Sequence, residues 1–309
     1  MGLVFHNGKF VPEENIQKVS AEARVLSLLR SFLDTNEPGL VRILVNTWNS
    51  QGKAITYKEI REAILRGDLD PKWLDDWMQD YSKLVANHMQ PAWEKAIEAG
   101  FASKAQQYPA FYFNPAADSI RTWTANHAAE FVTNVSTAQI EGLRAVIQRA
   151  AVMENMTVDE LSRAIRPMIG LTKQQSNAVM NYYQKLRENG VPPKRARESA
   201  IRDASRRHRE RAYSVARTEL STAHNTGAHE ATKQAQARGY MGRTIKQWCA
   251  ADDERMCPYC GNLDGKEVEM DDEFDGISSS WSTRLHPPAH PGCRCAVLYI
   301  EKEPPTQNT

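Results

Sequence analysis

The sequence lacks cysteine throughout its first 248 residues and has no long apolar run. No stretch approaches the ~20 apolar residues that a membrane span needs. The N-terminus has no basic region followed by an apolar stretch, so we expect neither a membrane span nor a signal peptide. Net charge is also nearly absent, because 39 Lys and Arg oppose 38 Asp and Glu. Together with 41% hydrophobic residues, this balance excludes a disordered polyion. The 309 residues predict two structural units, at roughly 150 residues each.

Common catalytic motifs are missing as well. The chain contains no His-Glu-x-x-His, GxSxG, GxGxxG or P-loop. His208-Arg-Glu210 matches the His-x-Glu of zinc deaminases, but Met256 stands where their Pro-Cys-x-x-Cys requires proline. We therefore predict that the protein is not an enzyme. A zinc hydrolase or deaminase, with Glu210 or Asp253 beside the metal, is the weaker alternative.

Helix signals fill residues 14–239. Five starts are predicted from capping residues, four as capping boxes and one as an Asp-Pro pair: Thr56 with Glu59, Ser136 with Gln139, Thr157 with Glu160, Thr172 with Gln175, and Asp70 with Pro71. Glycines predict helix ends at Gly100, Gly190 and Gly239.

Three further features refine this helical pattern. The spacing of Trp73, Trp77, Tyr81 and Leu84 predicts a buried helix face. Pro91 predicts a kink or a division of the helix. Residues 104–118, with two prolines, predict a linker or an extended arm.

The pattern changes after Gly239. Residues 244–248, 266–270 and 295–300 predict strands, and Asp264-Gly265 predicts a tight turn. We interpret them as a three-stranded antiparallel meander. The predicted fold is mainly α: an elongated multi-helix region, then a small α+β C-terminal module with a short antiparallel sheet stapled by a structural zinc site. The predicted domains are an N-terminal helical region (1–110), a helical domain with an arginine-rich helix (111–243), the zinc-binding β module (244–300) and a flexible tail (301–309).

The cysteines carry the sharpest chemical signal. All five lie in the last fifth of the chain, and four follow the pattern Cys257-x-x-Cys260 and His290-x-x-Cys293-x-Cys295. Two thiolates two residues apart form half of a tetrahedral zinc site, and a second pair completes it. We predict Cys257, Cys260, His290 and Cys293 as ligands of a structural Zn²⁺. Cys295 is the alternative to Cys293, because residues two apart on a strand share a face, and His286 ranks behind it.

Charge separates the β module from the preceding helices. Between residues 248 and 300, 4 basic residues oppose 10 acidic ones, a balance that repels phosphate. Between residues 194 and 217, 9 basic residues oppose 3 acidic ones. This basic segment is interpreted either as a solvated or internally docked helix face or as a contact with DNA or an acidic partner. The candidate contact residues are Arg202, Arg206, Arg207, Arg209 and Arg211.

Small residues dominate the next helix. Gly227 within it costs ~1 kcal/mol relative to alanine, so we expect a packing reason for it. Arg217 and Glu219 are two residues apart and cannot face each other on one helix. We expect each to pair elsewhere.

Five motifs follow one another in this half of the chain. They are Ala216-Arg217-Thr218-Glu219; Asn225; Asp253-x-Arg255-x-Cys257-x-x-Cys260; Leu263-Asp264-Gly265-Lys266; and Pro287-Pro288-x-His290-Pro291-x-Cys293-Arg294-Cys295. In order and spacing they resemble the phage head morphogenesis family of Mu F-like minor head proteins. The resemblance is specific over about residues 120–300 and assigns structural roles to these motif residues: Arg217, Glu219, Asn225, Asp253, Arg255, Asp264, Gly265 and Arg294.

This resemblance implies a minor virion protein that associates with the phage portal protein during head assembly. It places the protein in the virion, in the capsid interior near the portal, and in the host cytoplasm during assembly. Major capsid or scaffolding protein and packaged double-stranded DNA are further implied partners, with an effect on DNA packaging or ejection. Neither a membrane nor a small-molecule substrate is expected. The alternative function is a DNA-binding ejection protein that uses the basic segment 194–217.

Overall fold

The computed structural model describes residues 3–6, 9–251, 256–278 and 284–305, with side chains from residue 21 onward except at 103 and 105–106. Helix dominates this part of the chain, as predicted. The α-helices are α1 (Glu13–Ala54), α2 (Tyr57–Arg66), α3 (Pro71–Leu84), α4 (Gln90–Gln107), α5 (Asp118–Ala151), α6 (Val158–Ile165), α7 (Lys173–Glu188), α8 (Pro193–Ala237) and α9 (Pro258–Gly261). The strands are β1 (Leu3–His6), β2 (Lys9–Pro12), β3 (Thr244–Cys249), β4 (Glu267–Glu269) and β5 (Ala296–Glu301). None of the described helices is both long and apolar enough to cross a membrane.

Four of the five predicted helix starts are confirmed. The capping residues are Thr56 of α2, Asp70 of α3, Thr157 of α6 and Thr172 of α7. The predicted start at Ser136 is wrong, because Ser136 lies inside α5 and its hydroxyl donates to the Val132 carbonyl at 2.6 Å. A capping pattern is local, and here the buried face of a longer helix runs through it, with Val135 and Leu143 on either side.

The predicted division at Pro91 is also confirmed. A π-helix, Val85–Met89, separates α3 from α4, and Pro91 lies in the first turn of α4. Proline has no N–H to donate to the carbonyl of residue 87, so regular α-helical bonding stops there. The predicted face of α3 is buried at all four of its positions.

Of the three helix ends predicted at glycines, two are confirmed and one is wrong. Gly190 and Gly239 follow α7 and α8 with φ of 79° and 73°, as expected for helix ends. The end predicted at Gly100 is wrong, since α4 continues to Gln107. A Cβ on Gly100 would lie 2.1 Å from the His224 carbonyl oxygen, so this glycine permits a close helix crossing instead. The linker predicted over residues 104–118 is confined to residues 108–117, between the end of α4 and the start of α5.

The chain divides into two compact units. Unit 1 comprises Met1–Glu37, Ala92–Thr122 and Val215–Thr309, and unit 2 comprises Pro38–Pro91 and Trp123–Ser214. Each unit therefore combines segments that are distant in sequence. The four sequence-based domains remain a prediction about the order of regions along the chain.

Unit 2 has a helical core around Trp48 of α1. Trp48 is fully buried, and its indole Nε1 donates to the Tyr81 hydroxyl at 3.0 Å. Tyr81 in turn donates to Gln139 of α5. A hydrogen-bonded polar network in a packed interior fixes the mutual register of the helices that carry it.

Unit 1 contains the small sheet, which is antiparallel and three-stranded as predicted. The strand order is β4-β3-β5, with Lys246 opposite Val268 and Trp248 opposite Val297. The predicted meander order is wrong, because β3 lies in the centre. β3 is buried at every position, whereas β4 is mostly exposed. The central place therefore removes the most surface from water when β3 occupies it.

The interior of this sheet module contains three of the cysteines. Cys260, Cys293 and Cys295 belong to one buried cluster with Trp248 and Phe274. The last two rings meet edge to face with centroids 5.2 Å apart. The thiols thus lie within the hydrophobic core rather than on its surface.

Candidate metal centre

A short helix start aims the first two thiols at one point. Cys257 is the N-cap of α9, and its Sγ accepts a hydrogen bond from the Cys260 backbone N–H at 3.3 Å. Pro258 follows at the first helical position, where its missing N–H costs nothing. The Cys-x-x-Cys spacing therefore folds into a compact turn with both sulfurs on its inner side.

The second group of donors comes from the loop that precedes β5. The Cys293 N–H donates to the His290 carbonyl at 3.2 Å, and Gly292 between them has φ of 74°. The Nδ1 of His290 lies 3.0 Å from the Pro291 carbonyl oxygen. Because a carbonyl only accepts, Nδ1 carries the proton and Nε2 is left with its lone pair. This is the tautomer that a metal-binding histidine uses when a carbonyl orients its ring.

The donor atoms converge on Cys260. The His290 Nε2 lies 3.2 Å from the Cys257 Sγ and 3.0 Å from the Cys260 Sγ. The Cys260 and Cys293 sulfurs are 3.8 Å apart. Around a tetrahedral zinc with Zn–S bonds of ~2.3 Å, neighbouring sulfurs are about 3.8 Å apart. The spacing suits such an ion.

Five donors form two overlapping groups within this cluster. Cys257, Cys260 and His290 have donor atoms within 4.8 Å of one another, and so do Cys260, Cys293 and Cys295. The first group is partly exposed, whereas the second is buried. The cluster could therefore hold a metal ion, with Cys260 common to both groups.

The thiols perturb one another's protonation. Hydrogen bonds with Cys260 and Cys295 hold the pKa of the Cys293 thiol well below its ordinary value. Hydrogen bonds of Cys260 with Cys293 and Cys295 raise the pKa of the Cys260 thiol. One thiolate is therefore stabilised by neighbouring thiols, and the thiolate is the form that binds metals.

Cys249 and the sequence candidate His286 lie outside both donor groups. Burial raises the pKa of Cys249 to about 12, and its Sγ faces the Gln247 carbonyl oxygen at 3.7 Å. The nitrogens of His286 face the Pro287 carbonyl at 2.7 Å and the Thr226 hydroxyl at 3.3 Å. With both ring nitrogens engaged, His286 is a poor substitute for a missing ligand.

The motif residues of α8 pair with distant segments, as predicted for Arg217 and Glu219. Arg217 donates from Nε and Nη2 to the two carboxylate oxygens of Glu37, both at 2.7 Å. Glu219 accepts from the Trp93 indole Nε1 at 3.1 Å. The partners Glu37 and Trp93 carry no signal of this role in the sequence, because they lie on α1 and α4.

Two other α8 residues contact the loop that carries His290, Cys293 and Cys295, which we call the ligand loop. The Gly292 N–H donates to the Thr218 hydroxyl at 2.8 Å. The Asn225 Nδ2 donates to the Cys295 carbonyl at 3.3 Å. Asn225 was predicted as a motif residue, whereas Thr218 was not singled out, although it lies between two residues that were.

The remaining motif residues are distributed around the module. The Asp264 Oδ1 accepts from the Ala250 N–H at 2.8 Å, and Gly265 has φ of 73° in the predicted tight turn. Arg294 is half-buried. Asp253 and Arg255 lie outside the described residues.

The candidate arginines of α8 differ in accessibility. Arg202 and Arg209 are exposed. Arg206 is exposed but bonded to Asp203 and Glu210, and Arg207 is partly buried against Asp203. Arg211 is buried and donates to the Gly170 carbonyl, so its prediction as a partner contact is wrong: its guanidinium is used inside unit 2.

His208, the histidine of the deaminase-like pair, lies in the helical core of unit 2. His208 is buried, with Nε2 2.9 Å from the Ile169 carbonyl and its ring stacked on Trp48. It belongs to neither donor group found among the described residues.

Fold and site together define a class of mainly helical protein whose cysteine-rich β module is hydrogen-bonded to a long helix. The family model for Phage Mu protein F like protein matches residues 144–298. This is half of the 309 residues, and the chain therefore belongs to that family. No curated protein and no solved structure matches the chain. Membership indicates a role in phage head morphogenesis, since the family is one of structural head proteins.

Proposed function

We propose that this protein is a minor head protein that associates with the phage portal protein in the capsid interior. The match over residues 144–298 carries the proposal, because it spans all of α8, nearly all of the β module and the ligand loop. Residues 1–110 are the region that contacts the portal or the shell, and residues 111–243 and 244–300 form the helical domain and the zinc module. The protein affects DNA packaging or ejection from this position and assembles there from the host cytoplasm.

Binding to separately expressed head proteins tests this function. The full chain should co-purify with the portal protein of the same phage. Its co-purification with major capsid or scaffolding protein alone should be weaker. Chemical crosslinks to the portal should map within residues 1–110. Co-purification only with the shell protein, or absence of the chain from assembled heads, would contradict the proposal.

We also propose that the thiol cluster holds one structural Zn²⁺ through Cys257, Cys260 and His290, with Cys293 as the fourth ligand and Cys295 as its alternative. The overlap of the two donor groups at Cys260 supports this assignment. Four protein ligands leave no position for a reactive water, so the ion supplies folding energy rather than chemistry. For small zinc modules this energy is on the order of 10 kcal/mol.

Metal content and proteolysis test the zinc site. The purified chain should contain one zinc, and a chelator should make residues 249–300 sensitive to protease and reduce incorporation into heads. Cys260→Ser should lose the metal, whereas Cys249→Ser is the matched control, because Cys249 lies outside both donor groups. Comparing Cys293→Ser with Cys295→Ser identifies the fourth ligand. Unchanged protease resistance after metal removal would count against a structural ion.

A second candidate function is DNA binding by the exposed arginines of α8. Arg202, Arg206 and Arg209 are exposed at spacings of four and three residues, which places them along one helix face. Such a row suits contacts with phosphates rather than with bases.

Salt dependence distinguishes this candidate from a solvated helix face. If it holds, duplex DNA binding should weaken steeply between low and physiological salt. It should disappear when Arg202, Arg206 and Arg209 are changed to Gln. The control variant changes Arg42, Arg61 and Arg66, which are exposed on α1 and α2. Equal loss in both variants, or no binding at low salt, would exclude a specific role for α8.

A further inference from the structure

We propose that Thr218 and Asn225 of α8 position the metal-ligand loop, so that metal affinity depends on two α8 side chains that do not ligate the ion. The inference rests on the proposed metal site and adds a link between that site and α8. Both residues, the loop and the cysteines belong to unit 1.

Thr218 holds the middle of the ligand loop. Its hydroxyl accepts the N–H of Gly292 at 2.8 Å, and Gly292 lies between the proposed ligands His290 and Cys293. Gly292 adopts the left-handed conformation, with φ of 74°, which turns the chain between these two donors. The hydrogen bond that the Gly292 N–H donates to Thr218 therefore fixes the turn that sets the spacing of the two ligands.

Asn225 holds the end of the same loop. Its Nδ2 donates to the Cys295 carbonyl at 3.3 Å and to the Ser221 carbonyl at 2.9 Å. Asn225 is 1% exposed, so its amide does not readily exchange these partners for water. Residues 218 and 225 are seven apart, which is two helical turns, and they share one face of α8. Two turns of one helix thus fix the segment from Gly292 to Cys295.

The same helix segment anchors other parts of unit 1. Arg217 pairs with Glu37 of α1, and Glu219 accepts from Trp93 of α4. Metal binding that orders the loop consequently stabilises α8 at its contacts with α1 and α4. By linkage, a well-packed α8 strengthens metal binding by the same free energy.

Removing only the Thr218 hydroxyl tests the positioning role. Thr218→Val keeps the side-chain shape and removes the hydroxyl acceptor, whereas Thr218→Ser retains the hydroxyl. The matched control is Thr222→Val, whose hydroxyl donates within the helix to the Thr218 carbonyl at 2.7 Å. Zinc affinity is measured by chelator competition on the full chain, and Co²⁺ absorption reports ligand geometry. Loss of an outer-shell partner typically weakens metal affinity 10–100-fold, so we expect about a 10-fold loss for Thr218→Val. Thr218→Ser and Thr222→Val should stay close to wild type.

The outcomes separate this inference from the metal site itself. A wild-type chain that binds neither Zn²⁺ nor Co²⁺ removes the metal site, and the inference with it. If the wild-type chain binds one ion and Thr218→Val has the same metal affinity and the same Co²⁺ spectrum, the positioning role is wrong. The metal site itself is then still supported. A loss of equal size in Thr222→Val overturns the positioning role too, since the effect would then be one of general helix stability.

Hydrogen exchange on the wild-type chain keeps the test decisive if Thr218→Val does not fold. Metal should slow amide exchange at Gly292, which donates to Thr218, and should increase protection of α8 around residues 218–225. Protection confined to the ligand loop, with α8 unchanged, would overturn the coupling.

Discussion

At the scale of single residues, the ion pair of Arg217 with Glu37 is deeply buried on the carboxylate side. Arg217 forms two parallel hydrogen bonds with Glu37, whose side chain is 4% exposed, while Arg217 itself is 27% exposed. A carboxylate buried this deeply depends on its partner, because water cannot replace the guanidinium.

Arg217→Met should therefore destabilise unit 1, since it leaves the Glu37 carboxylate buried and unpaired. We expect a loss of roughly 2–4 kcal/mol in the free energy of unfolding, measured by urea denaturation. The double variant Glu37→Leu with Arg217→Met should recover part of that loss. Arg206→Met is the control, because its pairs with Asp203 and Glu210 are solvent-exposed on the arginine side and should be worth less than about 1 kcal/mol. Equal losses in the two single variants would refute the importance of burial.

Sequence spacing predicted that Arg217 pairs away from its own helix, but it could not identify Glu37. Their separation is 180 residues, and no periodicity relates α1 to α8. The cysteine cluster was more accessible to prediction because its spacings are themselves the geometry of a ligand turn. The sequence could not decide between Cys293 and Cys295, because residues two apart on an extended chain share a face. In the structure both thiols lie close to Cys260.

At the scale of elements, glycine allows α4 and α8 to cross with almost no side chain between them. A Cβ on Gly227 would lie 2.1 Å from the Ile97 carbonyl oxygen, well inside van der Waals contact. The packing reason expected for Gly227 is confirmed. Gly100 makes the reciprocal approach to the His224 carbonyl.

Gly227→Ala should destabilise the protein although alanine is the better helix former. The clash is with backbone atoms, which cannot rotate away, so it should cost about 2–3 kcal/mol and exceed the ~1 kcal/mol gained in helix propensity. Gly39→Ala is the matched control, because Gly39 also lies within a helix and, among the described residues, its added Cβ would meet nothing within 4 Å beyond its chain neighbours and the adjacent helix backbone. Thermal unfolding should show a lower Tm for Gly227→Ala and an unchanged or higher Tm for Gly39→Ala. A higher Tm in both would mean that the crossing is looser than described.

Helix boundaries were largely predictable because a cap acts over three residues of sequence. Helix crossings were not, since Gly227 and Ile97, which meet at this one, are 130 positions apart. Gly100 shows the difference: its local pattern indicated a helix end, and its tertiary contact keeps the helix continuous. The order of the three strands required the same long-range information, because it depends on which strand is most deeply buried.

At the scale of the whole molecule, four histidines among the described residues are buried as neutral bases. Burial lowers the pKa of His208, His224 and His286 to about 4 each, and that of His229 to about 2. Within the described part of the chain, neither ring nitrogen of His224 has a hydrogen-bond partner. Nothing in the sequence distinguished these histidines from metal ligands or exposed ones, since burial is a property of the packed chain.

Acid should consequently weaken folding below neutral pH. In the unfolded chain each imidazole has a pKa near its ordinary value of 6.5, so between pH 6.5 and 4 the unfolded state binds protons that the folded state excludes. Each excluded proton lowers the free energy of unfolding by about 1.4 kcal/mol per pH unit, and the contribution of His224 is complete once the folded protein also protonates near pH 4. His224→Leu should reduce this slope by about one proton and leave stability at pH 7 equal or higher, because it removes two unsatisfied nitrogens. The control is His88→Gln, at an exposed position of the π-helix. Urea midpoints measured across this pH range check the prediction. A slope that is the same in wild type and His224→Leu would show that His224 is protonated at no cost in the folded chain.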